Sequence, residues 1–250
     1  MRCSGLLTLV LLGCAAKPAP PPTTPTTPAT ASEARLGRAA EAVPAQAEPD
    51  PEPDPASTGV LASMPPLPEL ATFEAPPIYR VRVTTTEGEF IVIVDRSLAP
   101  NAADRFYNLV QLGYYRNATF FRAIAGFMVQ FGLHGDPEVN RAWEFATIPD
   151  DPVLTSNTRG TVAFAKTARP DSANTQLFIN LADNTQLDGM GFAPFGSVVS
   201  GMDVVFQIHT GYGEGAPRGQ GPSQSEIQAR GEAYLAEFPE LTRIVDMSLM

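Results

Sequence analysis

Cysteine is almost absent from this 250-residue chain: Cys3 and Cys14 are its only two, and both precede residue 15. Whatever folds downstream has no disulfide, no thiolate metal site and no cysteine nucleophile. Histidine is nearly as scarce, with only His134 and His209 and no His-Glu-x-x-His pair, so the common zinc spacing is missing. No Gly-x-Ser-x-Gly turn is present to lift a serine nucleophile. Nothing in the residue pattern requires a metal or any other cofactor. Basic charge is short as well: 17 Lys and Arg against 27 Asp and Glu leave a net charge of −10. With no basic stripe to neutralise phosphates, nucleic acid is not an expected partner. The acidic residues are spread along the chain, which reads as solubility rather than as a binding field.

Proline is abundant but unevenly placed: 16 of the 25 prolines precede Ile78. Residues 1–14 have a basic start, an apolar run from Leu6 to Leu12, and then Gly13-Cys14. That run is too short to span a bilayer and fits a secretory leader. Leu11-Leu12-Gly13-Cys14 looks like a lipobox, with Cys14 the site of acylation; an ordinary leader that happens to contain cysteine is the alternative. By the same resemblance, Ala15 after the cysteine points to the outer membrane, facing the periplasm. Residues 15–77 are rich in Pro, Ala, Thr and Glu, with too little apolar surface to offset ordering entropy, so a disordered, extended tether is expected. A PxxP ligand for some partner module is the other reading of that stretch.

Residues 78–250 are enough to bury one sizeable core. Tyr79–Val83 alternates apolar and polar, Phe90–Val94 is β-branched, and Glu87-Gly88 between them predicts a hairpin. Pro100, Ala102, Phe106, Leu109 and Leu112 follow helical spacing, with Gly113 as a C-terminal cap. Further short strands are predicted at 119–124, 127–131, 161–165, 177–180, 195–199 and 243–250, with a short helix over 202–209. Ser223-Gln224-Ser225-Glu226 resembles a capping box opening one surface helix that carries Ile227, Tyr234, Leu235 and Phe238 and ends at Pro239. Gly211-Tyr212-Gly213-Glu214-Gly215 does not join a strand to a helix and reads as a loop. Many short strands with two or three helices suggest a closed antiparallel barrel capped by helices. No long apolar face is left over, so a monomer is expected.

Phe120 to Ile124 and Gly126 to Gln130 place one arginine among aromatics. Strand alternation sets Phe120, Arg122 and Ile124 on one face, and Phe127 and Val129 opposite Met128 and Gln130. An arginine there needs partners or a task; an Arg122 that snorkels at a barrel rim is the plainer account.

Gly113-Tyr114-Tyr115, Phe120–Ile124 and Gly126–Gln130 are similar, in order and spacing, to motifs of the cyclophilin-type peptidyl-prolyl isomerases. So are Gln176–Ile179, Leu187-Asp188-Gly189, Phe195-Gly196 and Val198–Val205. The resemblance runs from about Val81 to Ile208 and includes the last strand. It implies a mainly β fold, a closed eight-stranded antiparallel barrel capped by helices, and catalysis of cis/trans isomerisation at X–Pro bonds in polypeptide substrates. It implies Arg122 as the catalytic residue. Phe127, Met128 and Phe178 would line the proline pocket, with Leu187 closing one side. Gln130 and Gln176 would bind the substrate backbone or orient the arginine, and Ala165 would face the residue before proline. Three positions depart from the pattern: the family's histidine before the arginine is Phe121, its tryptophan before Leu-Asp-Gly is Gln186, and its pocket histidine has no counterpart, Phe192 being the nearest occupant. Those departures leave a weakly catalytic, proline-segment-binding chaperone or scaffold as the alternative, and a purely structural envelope lipoprotein as a more distant one. His134 reads as structural rather than catalytic.

Overall fold

The computed structural model describes residues 65–250; the expected leader, Cys14 and the tether up to residue 64 lie outside them. Eight strands build one antiparallel sheet: β1 (Ile78–Thr85), β2 (Gly88–Asp95), β3 (Arg122–Ile124), β4 (Met128–Phe131), β5 (Thr161–Phe164), β6 (Leu177–Asn180), β7 (Pro194–Ser200) and β8 (Ile244–Leu249). Their order in space is β3-β4-β6-β5-β7-β2-β1-β8. The two ends of that order meet. Asn117 N–H donates to Ile244 O at 2.8 Å, Ile244 N–H to Ala118 O at 2.8 Å, and Phe120 N–H to Thr242 O at 3.0 Å. Backbone just ahead of β3 thus closes on the start of β8, and the chain forms the expected eight-stranded antiparallel barrel.

The first hairpin follows from period-two patterning. Tyr79, Val81 and Val83 are buried on β1, and Phe90, Val92 and Val94 on β2. Val81 stands opposite Val92, and Val83 opposite Phe90. Pro100 opens α1 (Pro100–Gln111), where a missing N–H costs nothing. Ala102, Ala103, Phe106, Leu109 and Val110 give α1 its buried face, and the Phe106 ring lies 5.3 Å from that of Phe195 on β7.

Five expectations need correction. The predicted strand over 119–124 is broken: Thr119 bridges Arg243 alone, and β3 begins at Arg122. Phe120 and Phe121, between the Thr119 bridge and β3, belong to no strand, so alternation does not carry through. Phe120 enters the main core, its ring 5.0 Å from Phe131, rather than sharing the face of Arg122. Phe121 joins a second cluster with Leu133, Ile227, Tyr234, Leu235 and Leu241.

A helix the sequence reading did not contain, α2 (Pro137–Trp143), follows Asp136, whose carboxylate accepts the Glu138 N–H at 2.8 Å. At 7 residues it is too short to display a period. After α3 (Met202–Gln207), the single helix expected from Ser223 is two, α4 (Gln224–Arg230) and α5 (Glu232–Leu235). Gly231 divides them at φ +55°, with the Gly135 carbonyl standing where a Cβ would be. The capping box does not form: Ser223 Oγ meets Ser225 Oγ at 2.9 Å and caps no N–H.

Finally, residues 65–77 do not behave as tether. Asn108 on α1, itself buried, donates to Phe73 O at 2.7 Å and accepts the Phe73 N–H at 2.9 Å. Asp104 accepts the Ala75 N–H at 2.9 Å, and Trp143 Nε1 donates to Pro66 O. Proline-rich composition signals an unfolded segment, but this one makes a 3-10 turn of its own at Pro68–Leu70 and is tied down by three side chains on two helices. We expect Asn108→Ala to lose about 1–3 kcal/mol, read as a lower urea midpoint, with faster amide exchange confined first to residues 65–77.

Candidate active site

Alternation on three neighbouring strands creates the site. On β4, Val129 and Phe131 belong to the main core, while Met128 and Gln130 face the other way. On β6, Leu177 and Ile179 are core and Phe178 is not; on β5, Val162 and Phe164 are core and Ala163 is not. Met128, Ala163, Phe178 and Leu187 form a separate buried cluster, with Ile124, Phe127, Ala165 and Phe192 packed against it. Phe127 therefore sits with Met128 rather than opposite it, because the turn ahead of β4 swings it round. Phe192 meets Phe178 edge-on, ring centroids 5.6 Å apart at 83°.

This apolar floor underlies a groove of about 560 Å³ whose lining includes Arg122, Phe127, Met128, Gln130, Ala165, Gln176, Phe178, Leu187 and Phe192. All nine residues singled out for the site thus share one concavity. Phe121 points into the second cluster, and Gln186 is exposed beyond the groove. His134 lies outside the lining; its Nδ1 accepts the Asp136 N–H at 3.0 Å, and burial holds its pKa below the ordinary value.

One row of polar groups crosses the floor. Gln130 Nε2 donates to Gln176 Oε1 at 2.9 Å, and Arg122 Nη1 donates to Gln130 Oε1 at 3.0 Å. Arg122 and Gln130 are direct cross-strand partners, which fixes their spacing. The other edge of the guanidinium is taken by Glu214: Nε to Oε1 at 2.7 Å and Nη2 to Oε2 at 2.8 Å. The Arg122 hydrogen bond holds the Glu214 carboxyl below the usual carboxylate range. Glu214 was not singled out in the sequence, since nothing in a glycine-rich loop announces which strand it will face.

The wall carrying Leu187 and Phe192 is fastened by Asp188, seen in the sequence only as part of a motif, and by Ser156, Asn157 and Asn184, which no motif marked. Asp188 accepts from Asn157 N–H and Nδ2, each at 2.8 Å, and from Ser156 Oγ. Asn157 Nδ2 also donates to Phe192 O at 2.9 Å, and Asn184 Nδ2 to Phe127 O at 2.8 Å. Among the described residues no group of three or more His, Cys, Asp or Glu is placed to hold a metal ion.

The family model described as "Cyclophilin type peptidyl-prolyl cis-trans isomerase/CLD" matches residues 80–228. The chain belongs to this family. It is an isomerase of peptide bonds preceding proline, and its curated relatives carry that activity in their names. Peptidyl-prolyl cis-trans isomerase A of Dickeya dadantii is 36% identical over 140 residues, covering 54% of this chain and 74% of the relative. Peptidyl-prolyl cis-trans isomerase B of Escherichia coli is 35% identical over 131 residues, covering 50% of this chain and 80% of the relative. Among solved structures, a cyclophilin-type isomerase of Cryptosporidium parvum superposes with a TM-score of 0.53 at 21% identity. The match covers 69% of this chain and 98% of that one, and it supports the fold alone.

The Asp188 anchor has a pH consequence for this cyclophilin domain. Hydrogen bonds from Ser156 and Asn157 hold the Asp188 carboxyl below its usual range. A native pKa below the unfolded value of about 3.9 means that its contribution is complete above that pH and disappears as the pH falls through the native value. Asp188→Ala should therefore unfold at a lower urea concentration than the wild type at pH 7 and at pH 5. The two midpoints should converge as the pH is taken down through the native value, below the usual carboxylate range.

Proposed function

We propose that Arg122 is the catalytic group and that the isomerase works at a membrane on proteins that have been exported. The observation that carries the first half is the placement of the guanidinium. Its Nη1 lies 3.0 Å from Gln130 Oε1 and 3.9 Å from the Met128 sulfur, at the rim of the apolar floor where a proline ring would rest.

Rotation about an X–Pro bond faces a barrier of about 20 kcal/mol and takes tens of seconds unaided. Millisecond turnover requires roughly 10⁴-fold acceleration, or about 5.4 kcal/mol. No bond has to be made or broken. What is lost is amide resonance: as the bond twists, the proline nitrogen becomes pyramidal and regains a lone pair. A donor aimed at that lone pair favours the twisted state over the planar one, which is the differential binding that catalysis needs. A charge-assisted hydrogen bond supplies about 1.5–3 kcal/mol of this.

Phe127, Met128, Phe178 and Leu187 hold the ring and strip water from the amide. Gln130 and Gln176 hold the backbone, Ala165 leaves room for the residue before proline, and Phe192 completes the wall. A solved structure of similar fold, the Cryptosporidium parvum cyclophilin at 22% identity, was obtained in the presence of the dipeptide Ala-Pro. A dipeptide of that size is consistent with the groove of this chain.

Two features support the second half: the leader pattern of residues 1–14 and the lipobox-like Leu11–Cys14. Acylation of Cys14 would anchor the chain, with about 0.8 kcal/mol per buried CH₂. The outer membrane facing the periplasm is the proposed site, proline-containing segments of envelope proteins are the proposed substrates, and the proposed working form is the monomer.

The full chain in detergent should speed cis/trans exchange of an Ala-Pro-Phe peptide, followed by NMR. Arg122→Ala should fall close to the uncatalysed rate. Arg122→Lys keeps the charge but loses the planar fork, and should lose most of the activity; near-full activity in Arg122→Lys would sink the assignment, and near-background rates in the wild type would favour the binding reading. In cells that export the chain, Cys14→Ser should move it from the membrane fraction to the soluble fraction.

A further inference from the structure

The stretch from Gly211 to Gly221 has no part in the activity as described so far, yet it is held in place with unusual care. Gly213 bridges Ala123, the neighbour of Arg122 on β3, and Gly215 bridges Gly221. Gly221 N–H donates to Glu214 O at 2.9 Å, and Ala216 N–H to Gly221 O at 2.9 Å. A Cβ on Gly219 would collide with the Glu214 carbonyl and stand 2.8 Å from the Glu214 Cβ; one on Gly215 would stand 2.7 Å from Pro222 O. Glycine is needed because the loop folds back on Glu214 itself. The carboxylate then receives three hydrogen bonds: two from Arg122, at 2.7 and 2.8 Å, and one from the Gly215 N–H at 3.0 Å.

We propose that this loop is a holder for Glu214, and that Glu214 is a positioning residue for the isomerase reaction. The proposal rests on Arg122 being the catalytic group. A guanidinium held only by Gln130 through Nη1 can still pivot about that contact. Gripped along its Nε–Nη2 edge as well, its plane is fixed, and Nη1 is the corner left at the apolar floor. Direction matters more than net charge here, because the lone pair that develops on the twisting nitrogen is neutral. A carboxylate behind the arginine therefore takes little from the transition state, while it supplies the countercharge that lets a substrate cover the guanidinium. The side chains of Arg122 and Glu214 are 21% and 27% exposed, so the pair is half-sheltered before any peptide binds.

The test measures kcat and KM separately by NMR exchange on the full chain, in the wild type, Arg122→Ala, Glu214→Ala, Glu214→Gln and the double Ala variant. Glu214→Ala should lose between about tenfold and a hundredfold in kcat, with KM changed by less than about threefold. Glu214→Gln, which can still accept from Nε, should lie between it and the wild type. The double variant should be no slower than Arg122→Ala, since Glu214 acts only through that side chain. In ¹⁵N spectra the Arg122 Nε–H signal, resolved and slowly exchanging in the wild type, should broaden or vanish in Glu214→Ala while backbone signals of β3 and β4 stay in place. An unchanged kcat, a loss carried wholly by KM, or a faster Glu214→Ala enzyme would each overturn the proposal, the last by making the pair an inhibitory latch. If instead Arg122→Ala keeps wild-type activity, it is the assignment of Arg122 that fails.

Discussion

Two-residue alternation on β4 is the constraint from which the site follows. Val129 and Phe131 are locked in the main core, so Met128 and Gln130, which alternate with them, have no choice of direction. β6, and β5 beyond it, repeat the arrangement: Phe178 is fixed by Leu177 and Ile179, and Ala163 by Val162 and Phe164. Slipping any of these strands by one residue would turn the floor of the groove inward and a core residue outward. Burial of the barrel's interior therefore also sets the geometry of its opposite face, and the groove is secured by the same free energy that holds the fold.

Loops supply what strands cannot. The wall bearing Leu187 and Phe192 is a short 3-10 helix, Thr185–Met190, and the turn after it, tied to the barrel by side chains: Asp188 on Asn157, Asn157 on Phe192, Asn184 on Phe127. Asn157, Asn180 and Asn184 are all buried. Burying three amides would be costly if any were left unpaired. Here each one bonds backbone or another member of the network, which fastens the wall to the barrel.

How much of this could be seen beforehand depended on whether the information was local. Hairpin β1–β2 and helix α1 were legible because their periods are complete within the segment, and strand β6 as a short apolar run. The nine groove residues were legible only through motif resemblance; composition and spacing alone left Arg122 open to a rim reading. Phe120 was misplaced because alternation does not run unbroken into β3: backbone at Thr119 and Phe120 pairs instead with residues just ahead of β8, more than a hundred positions on. Glu214 and Asn157 were missed for the same reason. Each acts on a residue far away in the chain, Glu214 on Arg122 and Asn157 on Phe192, and a glycine-rich loop or an isolated asparagine carries no period that marks its target. Residues 65–77 were misread because proline content registers chain stiffness but not the Asn108, Asp104 and Trp143 side chains waiting to bind that backbone.

The Arg122–Glu214 pair also has a dielectric logic. In open water two unit charges at contact attract by only about 1 kcal/mol, and the attraction rises several-fold as the surroundings become less polar. Substrate lying across Met128, Phe178 and Leu187 would displace water from exactly that side of the guanidinium which the pair leaves uncovered. The grip on Arg122 would then tighten as the peptide arrives, and be loosest when the groove is empty. A rigid floor with a donor that stiffens under its own substrate suits a reaction in which nothing but the angle of one bond has to change.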